Sequence, residues 1–569
     1  MNWKQKKHYE TLLSREQGFV KKTWGTCHTV CLAYPNRYRI GMANLGFQAV
    51  YKIFNELPSF LCERVFLSVS GGDAEFVAGA AETVSLESQK PVRDFDILAV
   101  SVSFENDYPS ILKILERSGI PLNAKDRDEC YPLVIGGGIA LTLNPEPLAD
   151  YFDVLILGEA EEILPQFARV FAESRQLALK RKDMLLDMQK RIPGIYVPSL
   201  YEVHYSLHGK IQDIAPIEEG LPRRIQVSSI KNIDAFSTAE VISSRDSEMA
   251  DMFLVEVNRG CPHRCRFCAA GHVYAPPRFR SYEEIVSAVD YGLRIKKKIG
   301  LVGTAVSDHP DLVKICRYIV DHNAQVGVGS LRLDRIDEKM VDLLKAGGIE
   351  TVALAPEAGS QRLRDLLGKG ISSDDILNAA RLLIEKEISN LRLYFMVGLP
   401  TEEDEDIDAI IDLAKKIQHS ALSHTCGKRK FRRITLSLNQ FIPKPRTPLQ
   451  WCALENVQDV GKRIKKIARA FRQDRQINVI ADVPKWNYVQ ALLSLGDRRV
   501  GDILLAVHRQ NGNWMRALKA ININPDFYVY REKDLDEILP WDTIDVGMSK
   551  KKLMHEYEKA LAGHHEPKL

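Results

Sequence analysis

Short apolar runs alternate with longer helix-like stretches through the first third of the chain. The runs cover residues 29–34, 95–103, 132–136 and 154–157, and the intervals between them leave room for crossover helices. Continuous apolar strands separated by helical segments are typical of a doubly wound parallel sheet. We therefore expect a Rossmann-like domain over residues 1–192.

Two strands of this sheet end in residues that suit a ligand site. Gly136, Gly137 and Gly138 follow one apolar run, and Ser101 and Ser103 end another. In a doubly wound sheet, ligands bind in the crevice beyond the carboxyl ends of the strands. Glycines there let a ligand come close to the backbone, but they also suit a tight turn from strand to helix. The sequence leaves both interpretations open.

A second series of strands and helices begins near residue 248. Its apolar runs predict strands at residues 252–257, 299–302, 325–330, 351–355, 391–397 and 434–441. Six strands over 248–445 are fewer than the eight of a complete β/α barrel. The pattern therefore predicts an open, partial (β/α)6 barrel, preceded by a less periodic connecting region at 193–247.

The last segment, 446–569, has a mainly helical pattern. Within 461–475, Ile464, Ile467, Ala468 and Phe471 form one apolar stripe, while Lys and Arg occupy much of the remaining surface. A basic face on an amphipathic helix is more commonly a solvated surface than an RNA-binding one. The fold class expected for the whole chain is α/β in three domains, and RNA is the less favoured partner.

Composition narrows the class of protein. The 569 residues allow two to four domains, and 45% apolar with 27% charged residues is ordinary for a globular protein. Lys+Arg 78 against Asp+Glu 75 gives a net charge of +3, which indicates no global attraction to nucleic acid or membrane. The polar N-terminus and the lack of an apolar run of ~18 residues predict a cytoplasmic protein without a membrane span.

The cysteines point to chemistry. Ten are too few for a disulfide scaffold, but Cys261, Cys265 and Cys268 fall within eight residues, directly after a predicted strand. Thiolates at C-x3-C-x2-C spacing can wrap three corners of an iron–sulfur cluster and leave one iron open. The alternatives are a zinc site completed by His263 or His272, and three unrelated thiols. The spacing favours the cluster.

The segment Cys261-Pro-His-Arg-Cys265-Arg-Phe-Cys268 resembles the hallmark loop of the radical S-adenosylmethionine (SAM) superfamily. Phe267, the aromatic residue before the third cysteine, also fits that pattern. The resemblance implies that the three cysteines ligate a [4Fe-4S] cluster and that SAM binds the open iron. It also implies that the reduced cluster cleaves SAM to a 5′-deoxyadenosyl radical, using an external electron donor such as flavodoxin or ferredoxin.

Residues after later barrel strands match positions where the superfamily contacts SAM. Gly303 and Thr304 follow the second strand, but no acid follows the glycine as it often does in relatives, so contact there would run mainly through backbone. Gly398 lies in a loop that resembles the one beside the adenine. The resemblance implies SAM-binding roles for Phe267, Gly303, Thr304, Ser330, Arg332, Glu357 and Gly398.

A doubly wound domain before the barrel resembles the cobalamin-binding class of radical SAM proteins. The match extends over essentially the whole chain to a fused subgroup with a helical C-terminal extension, on segments such as Asn144-Pro-Glu-Pro147 and Pro356-Glu-Ala-Gly359. The signature Asp-x-His-x-x-Gly is absent, so histidine ligation of cobalt is not expected. If cobalamin binds, Ser101, Ser103 and Gly136–Gly138 would line its crevice.

The resemblance implies a radical SAM enzyme, with methyl transfer from cobalamin to an unactivated carbon as the leading hypothesis. A radical rearrangement or RNA modification without cobalamin-borne methyl is the first alternative. A non-catalytic binding protein that holds an iron–sulfur cluster or zinc is the second. The near-neutral charge favours a small-molecule, lipid or peptide substrate.

Overall fold

The fold is described from a computed structural model, which covers residues 3–67, 83–329, 331–424 and 431–562. Helices and strands are numbered in chain order. Several helices begin at a side chain that caps the first turn. Asn44 accepts a hydrogen bond from Phe47 N at 2.9 Å, and Ser372 with Asp375 forms a capping box.

The first domain is built on a six-stranded sheet. The first seven strands of the chain are β1 Glu16–Gln17, β2 His28–Tyr34, β3 Phe60–Phe66, β4 Ile97–Ser101, β5 Leu133–Gly137, β6 Val154–Ile156 and β7 Ile195–Tyr196. All of them except β1 belong to this sheet. The sheet order is β3-β2-β4-β5-β6-β7, with β2 to β6 parallel and β7 antiparallel at one edge. Counted from β2, the five parallel strands run 2-1-3-4-5, the flavodoxin-like doubly wound order.

The helices of this domain cover both faces of the sheet. They are α1 Trp3–Ser14, α2 Tyr38–Gly41, α3 Leu45–Glu56, α4 Tyr108–Arg117, α5 Ile139–Leu143, α6 Ala160–Gln176 and α7 Arg181–Arg191. The chain order reverses between β2 and β4, so the switch point at which such folds bind ligands lies there.

The connecting region is more structured than its sequence suggests. Its strands are β8 Tyr201–Tyr205, β9 Ile211–Pro216, β10 Ile225–Gln226 and β11 Ser243–Ser244. β8 and β9 form an antiparallel hairpin, and β11 pairs with β1. The predicted boundary at residue 192 differs from the structure, because β7 pairs with β6 and belongs to the first sheet.

The second domain is a partial barrel. Its strands are β12 Phe253–Arg259, β13 Arg278–Phe279, β14 Lys298–Gly303, β15 Gln325–Val328, β16 Thr351–Glu357, β17 Asn390–Val397, β18 Arg433–Gln440 and β19 Ile477–Ala481. Apart from the short antiparallel β13, all are parallel within two four-stranded sheets, which a bridge between Leu331 and Leu354 joins. Its helices are α8 Ala270–Val273, α9 Tyr282–Leu293, α10 Leu312–Asp321, α11 Glu338–Ala346, α12 Gln361–Leu366, α13 Ser373–Glu385, α14 Asp404–His424 and α15 Val457–Ala470.

The described barrel therefore has seven parallel strands, not the predicted six, and it extends past residue 445. The basic helix α15 is the crossover between β18 and β19. β19 escaped prediction because it is an edge strand, and only Ile477 and Val479 pack into the barrel core. Several cations of α15 are also ion-paired, including Arg463 with Glu402 at 3.0 Å and Lys466 with Asp408 at 2.7 Å.

Most of the C-terminal region packs on the first domain, but its last helix also contacts the barrel, where Ala560 joins an apolar cluster with Leu363 and Leu367. Its elements are α16 Pro484–Leu495, α17 Val500–Arg509, α18 Trp514–Ala520, α19 Asp526–Val529, β20 Ile544–Asp545 and α20 Lys550–Ala562. It shares one continuous hydrophobic core with the first sheet, and β20 pairs with β10. The α/β fold class, with a doubly wound domain, a partial barrel and a mainly helical end, is confirmed. Among the described residues, no helix combines the length and apolar character needed to cross a membrane.

Candidate functional site

The three clustered cysteines lie in the loop between β12 and α8, at the carboxyl end of the first barrel strand. Cys265 is buried, and Cys261 and Cys268 are partly buried. The loop is tied to the barrel at its start. Asn258 Nδ2 donates to Gly260 O at 2.8 Å, and Thr304 Oγ1 donates to the same carbonyl at 2.6 Å.

Gly303 is needed for this arrangement. A β-carbon on Gly303 would lie 2.0 Å from Asn258 Oδ1, so a larger residue would displace the amide that holds the loop. Thr304 is exposed, and its hydroxyl is already used on Gly260 O. The structure thus gives both predicted residues a part in positioning the cysteine loop.

Positive charge lies close to the thiols. Burial raises the pKa of the Cys265 thiol to about 11, while Lys369 and Arg332 act to lower it. Burial also raises the pKa of Cys268, and Lys369 again opposes the shift. Buried thiols become good ligands only when deprotonated, and a bound metal together with these cations favours the thiolate.

Glu357 and Lys369 form an ion pair on the same side of the barrel. Lys369 Nζ donates to Glu357 Oε1 at 2.9 Å, and both side chains are mostly buried. Glu357 ends β16 with a φ of +68°, a left-handed conformation that is strained for a residue with a side chain. Arg332 Nη2 donates to Lys369 O at 2.9 Å, so three charged residues converge beside the cysteine loop.

The other predicted SAM-binding residues lie around this centre. Phe267 packs against an apolar cluster that includes Leu363, Leu367 and Phe441, which anchors the loop. Gly398 has a φ of +82°, and its N–H donates to Glu402 Oε2 at 2.7 Å. Ser330 lies outside the described residues.

The two histidines considered for zinc have other contacts. His263 Nε2 lies 2.8 Å from Asp308 Oδ1, and His272 Nε2 lies 3.2 Å from the Cys265 carbonyl oxygen. In the described part of the chain, no three His, Cys, Asp or Glu side chains are grouped to hold a single metal ion. The donors in this loop that suit a metal are the three thiols, and thiolates are the usual ligands of an iron–sulfur cluster.

A cavity of about 480 Å³ separates the first sheet from the barrel. On the sheet side, the lining lies at the switch point between β2 and β4 and along β5. The residues there are Leu32, Ala99, Ser101, Ser103, Gly136, Gly137 and Gly138. On the barrel side it is lined by residues that flank the cysteine loop or end β14: Asn258, Arg259, Tyr274, Val302, Gly303 and Thr304. Two predicted sites, one in each domain, thus face one space.

The glycine triplet makes the tight turn from strand to helix and also lines the cavity. A β-carbon on Gly138, at a φ of +120°, would lie 2.4 Å from Val102 O, so the turn itself requires glycine. A β-carbon on Gly136 would meet Phe152 at 2.8 Å inside the domain. Gly137 is less confined, with Ile156 O at 3.4 Å, and all three residues line the cavity.

A buried ion network joins the first domain to the cysteine loop. Arg278 makes two hydrogen bonds to Glu159, at 2.7 and 2.8 Å, across the domain boundary. Arg259, two residues before Cys261, pairs with Glu161 at the start of α6 and with Glu256 on β12. Because the charges are matched and hydrogen-bonded, the network can fix the relative position of the two domains.

A three-cysteine loop lies at the end of the first strand of a partial barrel and faces a doubly wound domain. This combination defines the class of protein to which the chain is compared. The model of the N-terminal region of radical SAM proteins matches residues 46–198, and the model of the radical SAM superfamily matches residues 255–414. Together they span more than half of the chain. The chain belongs to the radical SAM superfamily and is a radical SAM enzyme, a membership that implies a [4Fe-4S] cluster and SAM.

Individual relatives share much of this length. An uncharacterized protein of Methanocaldococcus jannaschii is 28% identical over 84% of this chain and 90% of its own length. An uncharacterized methyltransferase of Pyrococcus horikoshii is 23% identical over 61% of this chain and 70% of its own. The radical SAM methyltransferase TsrM of Kitasatospora setae, solved with cobalamin and a [4Fe-4S] cluster, matches 87% of this chain and all of its own with a TM-score of 0.47 and 15% identity.

Sequence reasoning missed several residues of the site. Asn258, Glu161 and Tyr274 carry no motif, and their roles depend on partners that are distant in the sequence. Lys369 could have been found from the sequence, because it stands between two glycines, Gly368 and Gly370. In the structure their φ angles are +63° and +64°. A lysine between two left-handed glycines indicates a turn that places one charge.

Proposed function

We propose that this radical SAM enzyme binds its [4Fe-4S] cluster through Cys261, Cys265 and Cys268 and binds cobalamin in the cavity between its first two domains. We further propose methyl transfer to an unactivated carbon. The observation that carries the proposal is the shared cavity. It lies at the switch point of a flavodoxin-like sheet and is bounded opposite by residues that flank the cysteine loop.

The residues present fit a corrin-type cofactor. The described lining is mainly apolar on the sheet side, and Gly137 leaves backbone accessible to a ligand. No histidine lines the cavity within the described residues, which agrees with cobalamin held without a protein imidazole. Cys261, Cys265 and Cys268 would hold the cluster, which would supply the electron for reductive cleavage of SAM, and cobalamin in the cavity would supply the methyl group.

The chain's own residues position these groups. Asn258 and Thr304 fix the first turn of the cysteine loop through Gly260 O. Lys369 and Arg332 place positive charge beside the thiolates, which stabilises the metal-bound form. Glu357, with its strained backbone, and Arg332 are the candidates for polar contact with SAM.

The ion network has a second part in this proposal. Arg259 and Arg278 hold the first domain against the cysteine loop, so the cavity keeps one shape across the domain boundary. The Pyrococcus relative that is named a methyltransferase supports methyl transfer as the reaction. An external flavodoxin or ferredoxin would supply electrons, and the substrate would be a small molecule, lipid or peptide.

Anaerobic reconstitution tests the proposal. Reconstituted wild-type protein should hold about four iron atoms per chain and form 5′-deoxyadenosine from SAM with a reductant. Cys261→Ser, Cys265→Ser and Cys268→Ser should each lose both properties. The matched control is Cys130→Ser, at an exposed cysteine, which should keep both. A protein that holds zinc alone and never cleaves SAM would refute the proposal.

A further inference from the structure

The interior wall of the barrel carries several polar side chains among small and apolar ones. Along each strand, alternate residues pack outward against the helices in the second hydrophobic core, as Leu391, Leu393 and Phe395 do on β17. The residues between them face the interior, because side chains alternate across a strand. On β16, β17 and β18 these inward residues include Ala353, Ala355, Tyr394, Thr435, Ser437 and Asn439.

One inward residue carries an unpaired charge. Arg392 lies on β17 opposite Ala353 of β16 and Thr435 of β18, two small neighbours that leave room around it. It is partly buried, and its Nε is buried without a hydrogen-bond partner among the described residues. Its guanidinium carbon lies 5.3 Å from the centre of the Tyr394 ring, a cation–π contact that orients it.

Carboxylates on other barrel strands are already engaged. Glu256 on β12 pairs with Arg259 and Arg280, and Glu357 on β16 pairs with Lys369. Across the described ranges of the chain, no carboxylate pairs with Arg392. Arg392 as a whole is only partly buried, so its charge is partly solvated. Weaker screening by water beside the barrel wall still lets it attract an anion more strongly than an arginine on the open surface does.

We propose that Arg392 binds an anionic group, a carboxylate or a phosphate, on the enzyme's substrate. The proposal rests on the proposed function, because it assigns the barrel interior to the molecule that the radical attacks. The planar guanidinium suits two-point binding of either group. The hydroxyls and amide of Tyr394, Ser437 and Asn439 lie closer to the carboxyl ends of their strands and suit the polar remainder of such a substrate.

Anion binding to the reconstituted full chain tests this inference, with inorganic phosphate and succinate as separate probes at low ionic strength. At least one of them should raise the Tm and bind measurably by calorimetry. A response to phosphate alone indicates a phosphorylated substrate, and a response to succinate alone indicates a carboxylate. In Arg392→Gln the affinity should fall roughly 10- to 100-fold, and Arg392→Lys should recover part of it.

Arg433→Gln is the matched control, because it removes an exposed arginine at the start of the next strand and should leave anion affinity unchanged. Arg392→Gln should fold, with a Tm in the absence of anions no lower than that of the wild type. Equal anion affinity in Arg392→Gln and wild type would overturn the inference. So would the absence of any anion response, or a parallel loss of SAM affinity in Arg392→Gln, which would place this arginine in the SAM site.

The two proposals fail separately. The radical SAM function is measured by iron content and SAM cleavage in the wild type, and neither depends on the anion titration. A wild type that cleaves SAM but shows no anion response would overturn only the assignment of Arg392.

Discussion

Gly303 lies directly beneath the Asn258 amide, and a β-carbon on Gly303 would come within 2.0 Å of Asn258 Oδ1. The same amide holds the carbonyl of Gly260, the residue before the first cysteine. Gly303→Ala should therefore shift Asn258 and loosen the cysteine loop, since contacts this close must be relieved by movement. The expected result is a several-fold lower iron content after reconstitution, measured by iron assay and absorbance.

Gly329→Ala is the control for that variant. Gly329 follows the next strand, and a β-carbon there would have no atom within 4 Å. It should retain wild-type iron content. Equal iron content in the two variants would mean that Asn258 does not position the loop.

The ion pair across the domain boundary should be worth more than a surface pair. Glu159→Gln leaves Arg278 buried without its charged partner, and breaking a buried pair costs about 3–5 kcal/mol. A clear drop in Tm is expected, together with faster loss of the cluster. Glu173→Gln, which breaks an exposed pair between Glu173 on α6 and Arg191 on α7, should cost less than about 1 kcal/mol. Similar Tm values for the two variants would contradict a structural role for the network.

Asp107 should make stability depend on pH. Burial raises its pKa to about 6 from an ordinary value of 3.8, and its hydrogen bond from Asn36 Nδ2, at 2.7 Å, only partly opposes this. Between these values the folded chain holds a proton that the unfolded chain has lost. The free energy of unfolding therefore falls as pH rises through this window and stays lower above it.

Asp107→Asn removes that effect. At pH 8 it should be more stable than the wild type by up to about 3 kcal/mol, and the gain should vanish near pH 4. Thermal melts of both proteins across pH measure the difference, with Asp126→Asn at an exposed site as control. A variant that is less stable at pH 8 would show that the folded protein needs the Asp107 carboxylate charged.

Local patterns predicted much of this molecule because they are short-range. The cysteine spacing, the apolar runs of β2 and β4 to β6, and the parallel barrel strands from β12 to β18 all follow from neighbouring residues. β3 was not predicted, because Glu63 and Arg64 interrupt its apolar run. Both are buried, and Arg64 is neutralised by Glu16 and Glu87 at 2.7 Å each, from distant parts of the chain.

The other roles that the sequence did not predict depend on partners that are distant in the chain. Asn144 and Glu146 stood out in the sequence, but their contacts lie 350 residues away. Asn144 Nδ2 donates to the carbonyls of Ser494 and Gly496, and Glu146 pairs with Arg498. The motif thus fixes the C-terminal region on the first domain, a structural role that one sequence could not reveal. Lys369 and the Arg259–Glu161 pair likewise depend on folding to meet their partners.

The cavity between the first two domains is the proposed binding site for cobalamin. Ala49 on α3 lines that cavity, so Ala49→Phe should fill part of it, whereas Glu56→Phe changes an exposed residue of the same helix. The direct measurement is anaerobic titration with cob(II)alamin, followed by absorbance and electron paramagnetic resonance, on proteins of equal iron content. We predict stoichiometric binding by the wild type and Glu56→Phe, and loss of binding by Ala49→Phe. A wild type that binds no cobalamin, or an Ala49→Phe variant that binds it as well as the wild type does, would contradict cobalamin binding in this cavity.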